Sequence, residues 1–396
     1  MSQLTPRYRP IAAVTGLLVG ATLAACGANS LGGGDDGGDG DADQPVTIGL
    51  LVPTSGVYSP LGEDMEQGFR LYLDETEGRL AGREVKLEIV DEGESPDTGI
   101  PGAQRLVQQG ANAVVGVVSS AIALGVRDLF EESQIPLIVA NAGANEITGA
   151  RSSDYVWRTS FANGEVSAAL GPHVAKECDS AFLIGADYAA GKEAVGGFER
   201  TFTEAGGEIA GEAFPPFGTT SNYQPFLAQI QRSGADCAFS FFAGAEAVAF
   251  TQQYAKFGLK DEVRLYSSGF LTEGGVLTAA GEAATGIVTS LHYSDQLDTP
   301  RNREFVEAYR AAYDEPPTVY AVQAYDAAQV LDQAMAEGIA GPDIVRGLQA
   351  VDSVDSPRGE WSFSDGHGPV QTYYLRRVEE KDGQLVNVIV DELTTS

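Results

Sequence analysis

Several short stretches concentrate side chains able to hold a small polar molecule: Ser55-Gly56-Val57-Tyr58-Ser59, Ser119-Ser120-Ala121, Asn141-Ala142-Gly143, Asp187-Tyr188, Ala243-Gly244-Ala245 and Ser267-Ser268-Gly269-Phe270. Gly and small hydroxyl residues leave backbone N–H groups accessible, and a helix starting just beyond them favours a carboxylate or other polar group. Catalysis is poorly provided for. The histidines are His173, His292 and His367, with no metal-ligating partner at suitable spacing, and GxSxG, HExxH and CxxC are absent. No GxGxxG follows the first apolar run, which argues against a dinucleotide enzyme. The chemistry these residues suit is recognition without turnover, with no cofactor and no metal. Each stretch also has a plainer use: Ser119-Ser120 as a helix cap, Tyr58 and Phe270 as packing, Tyr188 as a structural hydrogen-bonder. Their common location at strand ends sets them apart.

That location follows from the pattern of elements. "VTIGLLV", "EVKLEIVDEG", "ANAVVGVV" and "IPLIVAN" read as strands, separated by helical patterns such as "MEQGFRLYLDETEG" and "ALGVRDLFEESQ". After "DYVWRTSF" the alternation restarts with "SAFLIGAD", "EIAGEAFP", "DCAFSFFAG", "EVRLYSSG" and "TGIVTSLHYS" as strands. Alternating βα units predict parallel sheets with right-handed crossovers. Two consecutive runs of them predict an α/β protein of two doubly wound, Rossmann-like lobes. Helices through "RNREFVEAYRAAYD" and "AVQAYDAAQVLDQAMAEG" precede a tail that alternates like antiparallel strands around the turn "KDGQ". In open sheets of this kind, ligands collect beyond the carboxyl ends of the strands, where the polar stretches lie.

The N-terminus has a different purpose. Residues 1–25 carry Arg7 and Arg9, then a small apolar run too short and alanine-rich to span a bilayer well, the layout of a secretory signal. Leu23-Ala24-Ala25-Cys26 matches a bacterial lipobox, which predicts acylation at Cys26 and mooring outside the cell on the cytoplasmic membrane. Residues 26–45, mostly Gly, Asp, Ala and Ser beyond the cysteine, predict a flexible tether. A formal charge of −31 disfavours nucleic acid and anionic lipid headgroups as partners. It also requires that an anionic ligand find local donors. Cys178 and Cys237 sit at the starts of two apolar runs; if those are neighbouring strands a disulfide is possible, and otherwise they are separate buried thiols.

Together, "IGLLVPTSGVYSPLGEDMEQGFRLYLDE", "VVGVVSSAIALGVRDLFEESQIPLI", "NAGANEIT", "YVWRTSF", "FAGAEAVAFTQQYAKFGL" and "PPTVYAVQAYDAAQVL" resemble type I periplasmic binding proteins of the leucine/isoleucine/valine-receptor branch. From about Val46 onward the resemblance covers nearly the whole chain. It implies an extracytoplasmic, monomeric receptor that closes two lobes around a small molecule and hands it to an ABC permease. A lipoprotein that presents its ligand to a membrane sensor would share the same fold. The implied crossovers fall near Ser160, His292 and Pro369, giving one lobe from 46–160 and 292–368 and another from 161–291 and 369–396. The branch's ligand loops map onto Ser120, Asn141 and Gly143, flanked by Ser119 and Ala142, with Tyr58 near the mouth. In the second lobe they map onto Tyr188, Ala243 and Gly269. One departure matters. Where amino-acid receptors of the branch place an acid for the ligand ammonium, this chain reads Ser267-Ser268-Gly269-Phe270, with no carboxylate before Glu273. An unpaired ammonium in a dry cleft is costly, so Phe270 and Phe241-Phe242 favour an aromatic or other apolar carboxylic acid. Glu246 or Glu273 reaching the site would overturn that expectation and leave a branched-chain amino acid as the alternative ligand.

Overall fold

A computed structural model of the chain describes residues 44–56, 58–149 and 152–393. The signal segment, Cys26 and nearly all of the tether lie outside the described residues. Two mixed sheets, each mainly parallel, organise the remainder.

The first sheet has six strands in the order β2-β3-β1-β4-β5-β6. These are β1 (Val46–Val52), β2 (Arg79–Leu80), β3 (Arg83–Asp91), β4 (Ala113–Gly116), β5 (Leu137–Val139) and β6 (Val156–Arg158). Helices α1 (Ser59–Glu75), α2 (Pro96–Gln108) and α3 (Ser120–Ser133) make the crossovers. β1, β4 and β5 are largely apolar and almost wholly buried, as strands covered on both faces must be, and β6 adds buried Arg158, whose Nη1 donates to the Ala144 carbonyl at 2.8 Å. Helix α1 starts at Ser59, inside the stretch that composition alone reads as a loop, because Pro60 is tolerated in the first turn of a helix.

The chain then enters α4 (Asn163–Ala168) and α5 (Gly171–Val174), two short helices where "GEVSAALGPHVAKE" reads as one helical pattern. Pro172 lies at the start of α5, where a proline opens a helix more readily than it continues one. The second sheet has seven strands in the order β15-β14-β11-β10-β9-β7-β8. They are β7 (Ser180–Gly185), β8 (Glu208–Ala213), β9 (Cys237–Phe241), β10 (Arg264–Ser268), β11 (Val288–Leu291), β14 (Tyr373–Lys381) and β15 (Gln384–Leu393). α6 (Ala189–Glu204), α7 (Gln224–Ser233), α8 (Gly244–Lys256) and α9 (Gly275–Ala280) connect them. Between β11 and β14 the chain returns to the first sheet. There α10 (Pro300–Tyr313), α11 (Val319–Ala334) and α12 (Gly341–Gln349) precede a small pair, β12 (Ser362–Phe363) with β13 (Pro369–Val370). α11 packs along α1, and its nearly all-round burial matches its lack of a polar face. The last two strands meet at Lys381↔Gln384, and Asp382 and Gly383 both take positive φ, the geometry of a two-residue hairpin turn.

Parallel pairing sets Cys237 opposite Ala181, three residues beyond Cys178. Both cysteines are buried free thiols in the structure, the alternative to a disulfide. Cys178 precedes β7 instead of lying in register with Cys237, and the Cys237 Sγ–H donates to the Ser180 carbonyl at 3.6 Å.

Candidate functional site

The strand-end loops of the first sheet are held by a buried acid. Glu92, just past β3 and fully buried, accepts the N–H of Val118 at 2.7 Å and of Ser119 at 2.9 Å. Val117 makes this possible by adopting φ +68°, a left-handed conformation that costs a β-branched residue about 1–2 kcal/mol. Burial pushes the Glu92 pKa up to about 7, against the two N–H bonds that lower it. Two N–H groups that sequence reasoning would offer to a ligand anion are therefore already engaged. Ser119 Oγ accepts the Ile122 N–H at 3.4 Å, the plain capping role. Ser120 Oγ accepts the Ala144 N–H at 3.1 Å, which ties the loop after β5 to α3 and leaves its hydroxyl proton to donate elsewhere.

Asn141 leads inward. Its Nδ2 donates to Gln323 Oε1 at 2.9 Å, and Gln323 Nε2 lies 3.0 Å from His292 Nε2, all three residues being buried. The geometry suits a neutral imidazole, and burial together with Arg358 and Arg376 holds the His292 pKa well below its ordinary value. Ala142 is fixed by its N–H to the Val117 carbonyl at 2.9 Å. Gly143 is required by packing: a Cβ there would fall 2.3 Å from Asn163 Oδ1 and 2.5 Å from the Phe161 ring.

From the second sheet, Phe270 sits on a short 3-10 turn (Gly269–Thr272) and is buried. Its ring lies 4.7 Å from Phe161, 6.3 Å from Phe241 and 6.5 Å from Tyr320 of α11. Tyr188, before α6, is 6.4 Å from Phe241 and stacks on Phe217 at 4.2 Å. An aromatic seam thus runs from Phe217 at the surface to Phe161 and Tyr320 on the far side. Tyr58, just before α1, belongs to the first lobe. Both phenol pKa values are raised, chiefly by burial and then by nearby groups including Glu246, so both hydroxyls remain protonated donors.

The remaining predicted positions divide. Ala243 precedes α8 beside Gly244, whose φ is +55°. Gly269 turns away: its carbonyl accepts Arg376 Nη2 at 3.0 Å, and a Cβ would sit 2.3 Å from the same nitrogen. Of the two acids in question, Glu273 pairs with buried Arg376 at 2.9 Å and accepts the Val319 N–H at 2.8 Å. Glu246 accepts the Gly218 N–H at 2.8 Å. Cavities of about 510 and 650 Å³ lie elsewhere between the lobes, lined by residues such as Arg158 and Lys192 in one and Asp64 and Asn387 in the other. Neither is lined by the predicted ligand residues. Glu92, Phe161, Phe217, Gln323 and Tyr320 escaped sequence reasoning. Only Phe217 carried a local signal, in the proline pair Pro215-Pro216 before it.

Known proteins resemble this chain over most of its length. The profile of the family described as "Periplasmic binding protein" matches residues 45–384. "Leu/Ile/Val-binding protein homolog 6" of Brucella melitensis is 30% identical over 349 residues, covering 85% of this chain and 88% of that protein. An ABC transporter solute-binding protein from R. palustris, solved with benzoate, is 38% identical with a TM-score of 0.80, covering 87% of this chain and 96% of its own. A solute-binding protein from Rhodopseudomonas palustris BisB5, solved with 3,4-dihydroxybenzoic acid, is 29% identical with a TM-score of 0.83, covering 88% of this chain and 97% of its own.

Proposed function

Because this chain belongs to the periplasmic binding protein family, whose members act outside the cytoplasm, we propose that it captures an aromatic or similarly apolar carboxylic acid for ABC import. The observation that carries this reading is the aromatic seam, in which Phe161, Phe270, Phe241 and Tyr188 of one lobe meet Tyr320 of the other through Phe270. Flat apolar walls with few polar points suit an aromatic ring bearing one charged group. Hydroxyl donors are available in Ser120, Tyr58 and Tyr188. An α-amino acid would need a carboxylate for its ammonium, and Glu273 is already committed to Arg376 and Val319. The benzoate and dihydroxybenzoate bound by similar proteins agree with this choice.

The lobes, taken as 46–160 with 292–368 and 161–291 with 369–396, rock about the three chain passages near Ser160, His292 and Pro369. Ligand that touches both lobes makes part of its contacts only in the closed form, which is what drives closure. The chain binds without turnover and acts as a monomer. Acylation at Cys26 moors it to the membrane beside its permease. Isothermal titration with benzoate, 4-hydroxybenzoate and leucine tests the reading. Micromolar or tighter binding of the acids supports it, and tight leucine binding with none of the acids refutes it.

A further inference from the structure

Beyond β8 the segment Phe214-Pro215-Pro216-Phe217-Gly218 is fastened to both strand-end loops of the second lobe. Asp187 N–H donates to the Pro215 carbonyl at 2.8 Å, and Asp187 pairs with Pro216 in an isolated parallel bridge. On the other side Gly218 N–H donates to Glu246 Oε1 at 2.8 Å, at the first turn of α8. Thr220 Oγ1 closes the turn by donating to the Pro216 carbonyl at 2.8 Å. Two consecutive prolines restrict the backbone further. This rigid pedestal holds an unusual load: Phe217 is 43% exposed and lies nearly parallel to Tyr188, at 16° and 4.2 Å. Among the described residues the other large apolar side chains this exposed are Val370 and Val390, on strands that do not adjoin the seam.

A phenylalanine kept half in water by a fixed backbone gains little for folding. Its position is informative: it forms the outermost rung of the aromatic seam, stacked on Tyr188. We propose that Phe217 is a specificity-determining cover, which holds the Tyr188 ring flat across the mouth of the site and slows escape of an aromatic guest. This inference rests on the aromatic-acid reading above. A cover of this kind acts on departure more than on arrival, because the stack must open before the guest leaves.

The test compares wild type with Phe217→Ala, Phe217→Leu and Phe217→Trp by stopped-flow binding of benzoate and 4-hydroxybenzoate. Aromatic stacking of ordinary strength predicts that Phe217→Ala and Phe217→Leu raise the dissociation rate roughly five- to tenfold while leaving the association rate within about twofold. Phe217→Trp restores slow release, and its new indole reports binding through a change in emission. The ligand-free melting temperature stays unchanged across the set. If wild type binds the acids and Phe217→Ala releases them at the wild-type rate, the cover is refuted while the aromatic-acid reading stands. If Phe217→Leu behaves like Phe217→Trp, stacking is not the cause and the proposal fails. Wild type that binds neither acid overturns the reading itself and this inference with it.

Discussion

Glu273 joins the two lobes through one carboxylate: Oε1 accepts the N–H of Val319 at the start of α11 at 2.8 Å, while Oε2 lies 2.9 Å from Arg376 Nη1. Arg376 is wholly buried and also donates to the carbonyls of Gly269 and Tyr293 at 3.0 and 2.8 Å. The guanidinium thus organises the turn that presents Phe270. Removing one member of a buried pair leaves the other uncompensated, at a cost of about 3–5 kcal/mol. Glu273→Ala and Arg376→Ala should each lower stability by about that much in denaturant titrations. The double variant should lose clearly less than the sum, since the partners act as a unit.

A second bond between the lobes lies near the surface. Glu193 on α6 accepts the N–H of Asn145 at 3.2 Å and the Nδ2–H of Asn163 at 2.9 Å. The bond to Asn145 forms only when the lobes meet, so it weights closure more than folding. Glu193→Ala should weaken ligand affinity by roughly three- to tenfold, as expected for loss of a charge-assisted hydrogen bond, with little change in ligand-free melting temperature. Solution scattering at saturating ligand should still show compaction.

Glu92 makes stability depend on pH. A carboxylate whose pKa rises from 4.5 unfolded to about 7 folded binds its proton more tightly in the native state. Its contribution is fully present below about pH 4.5 and is lost as pH climbs through 7. Replacing it with glutamine removes the ionisation and keeps an oxygen for the Val118 or Ser119 N–H. Chemical denaturation of wild type should therefore show stability falling between pH 4.5 and 7.5 by on the order of 2–3 kcal/mol through this group, and Glu92→Gln should flatten that part of the curve.

The cysteine pair gives a direct chemical readout. Interaction with the neighbouring Cys178 thiol, followed by burial, raises the Cys237 pKa, while the same interaction holds Cys178 below its ordinary value. Alkylation without reductant should label both residues completely once the protein is unfolded. In the native state Cys178 should react first and Cys237 slowly. A disulfide-linked peptide containing Cys178 and Cys237 would contradict the free-thiol structure.

The strands were legible because an apolar run bounded by turns has one stable use in a parallel sheet. "VTIGLLV" becomes β1 residue for residue, and β9 takes the "CAFSF" of "DCAFSFFAG". Helix boundaries were harder, since Pro60 and Pro172 decide them through local geometry that composition does not express. Type and position single out candidate ligand loops, yet type does not reveal what each group is already bonded to. Ser119 is spent on its own helix and Gly269 on Arg376, whereas Ser120 keeps its proton.

Taken alone, the sequence determined the two runs of βα units, which depend on neighbours along the chain, and the strong negative charge, which depends on composition alone. Tertiary structure decided which polar groups remain free. Glu92 lies 27 residues from Ser119, and Glu273 lies 46 from Val319 and 103 from Arg376. Pairing across such distances is set by how the sheets and helices pack, and desolvation makes every buried charge take a partner wherever the fold supplies one.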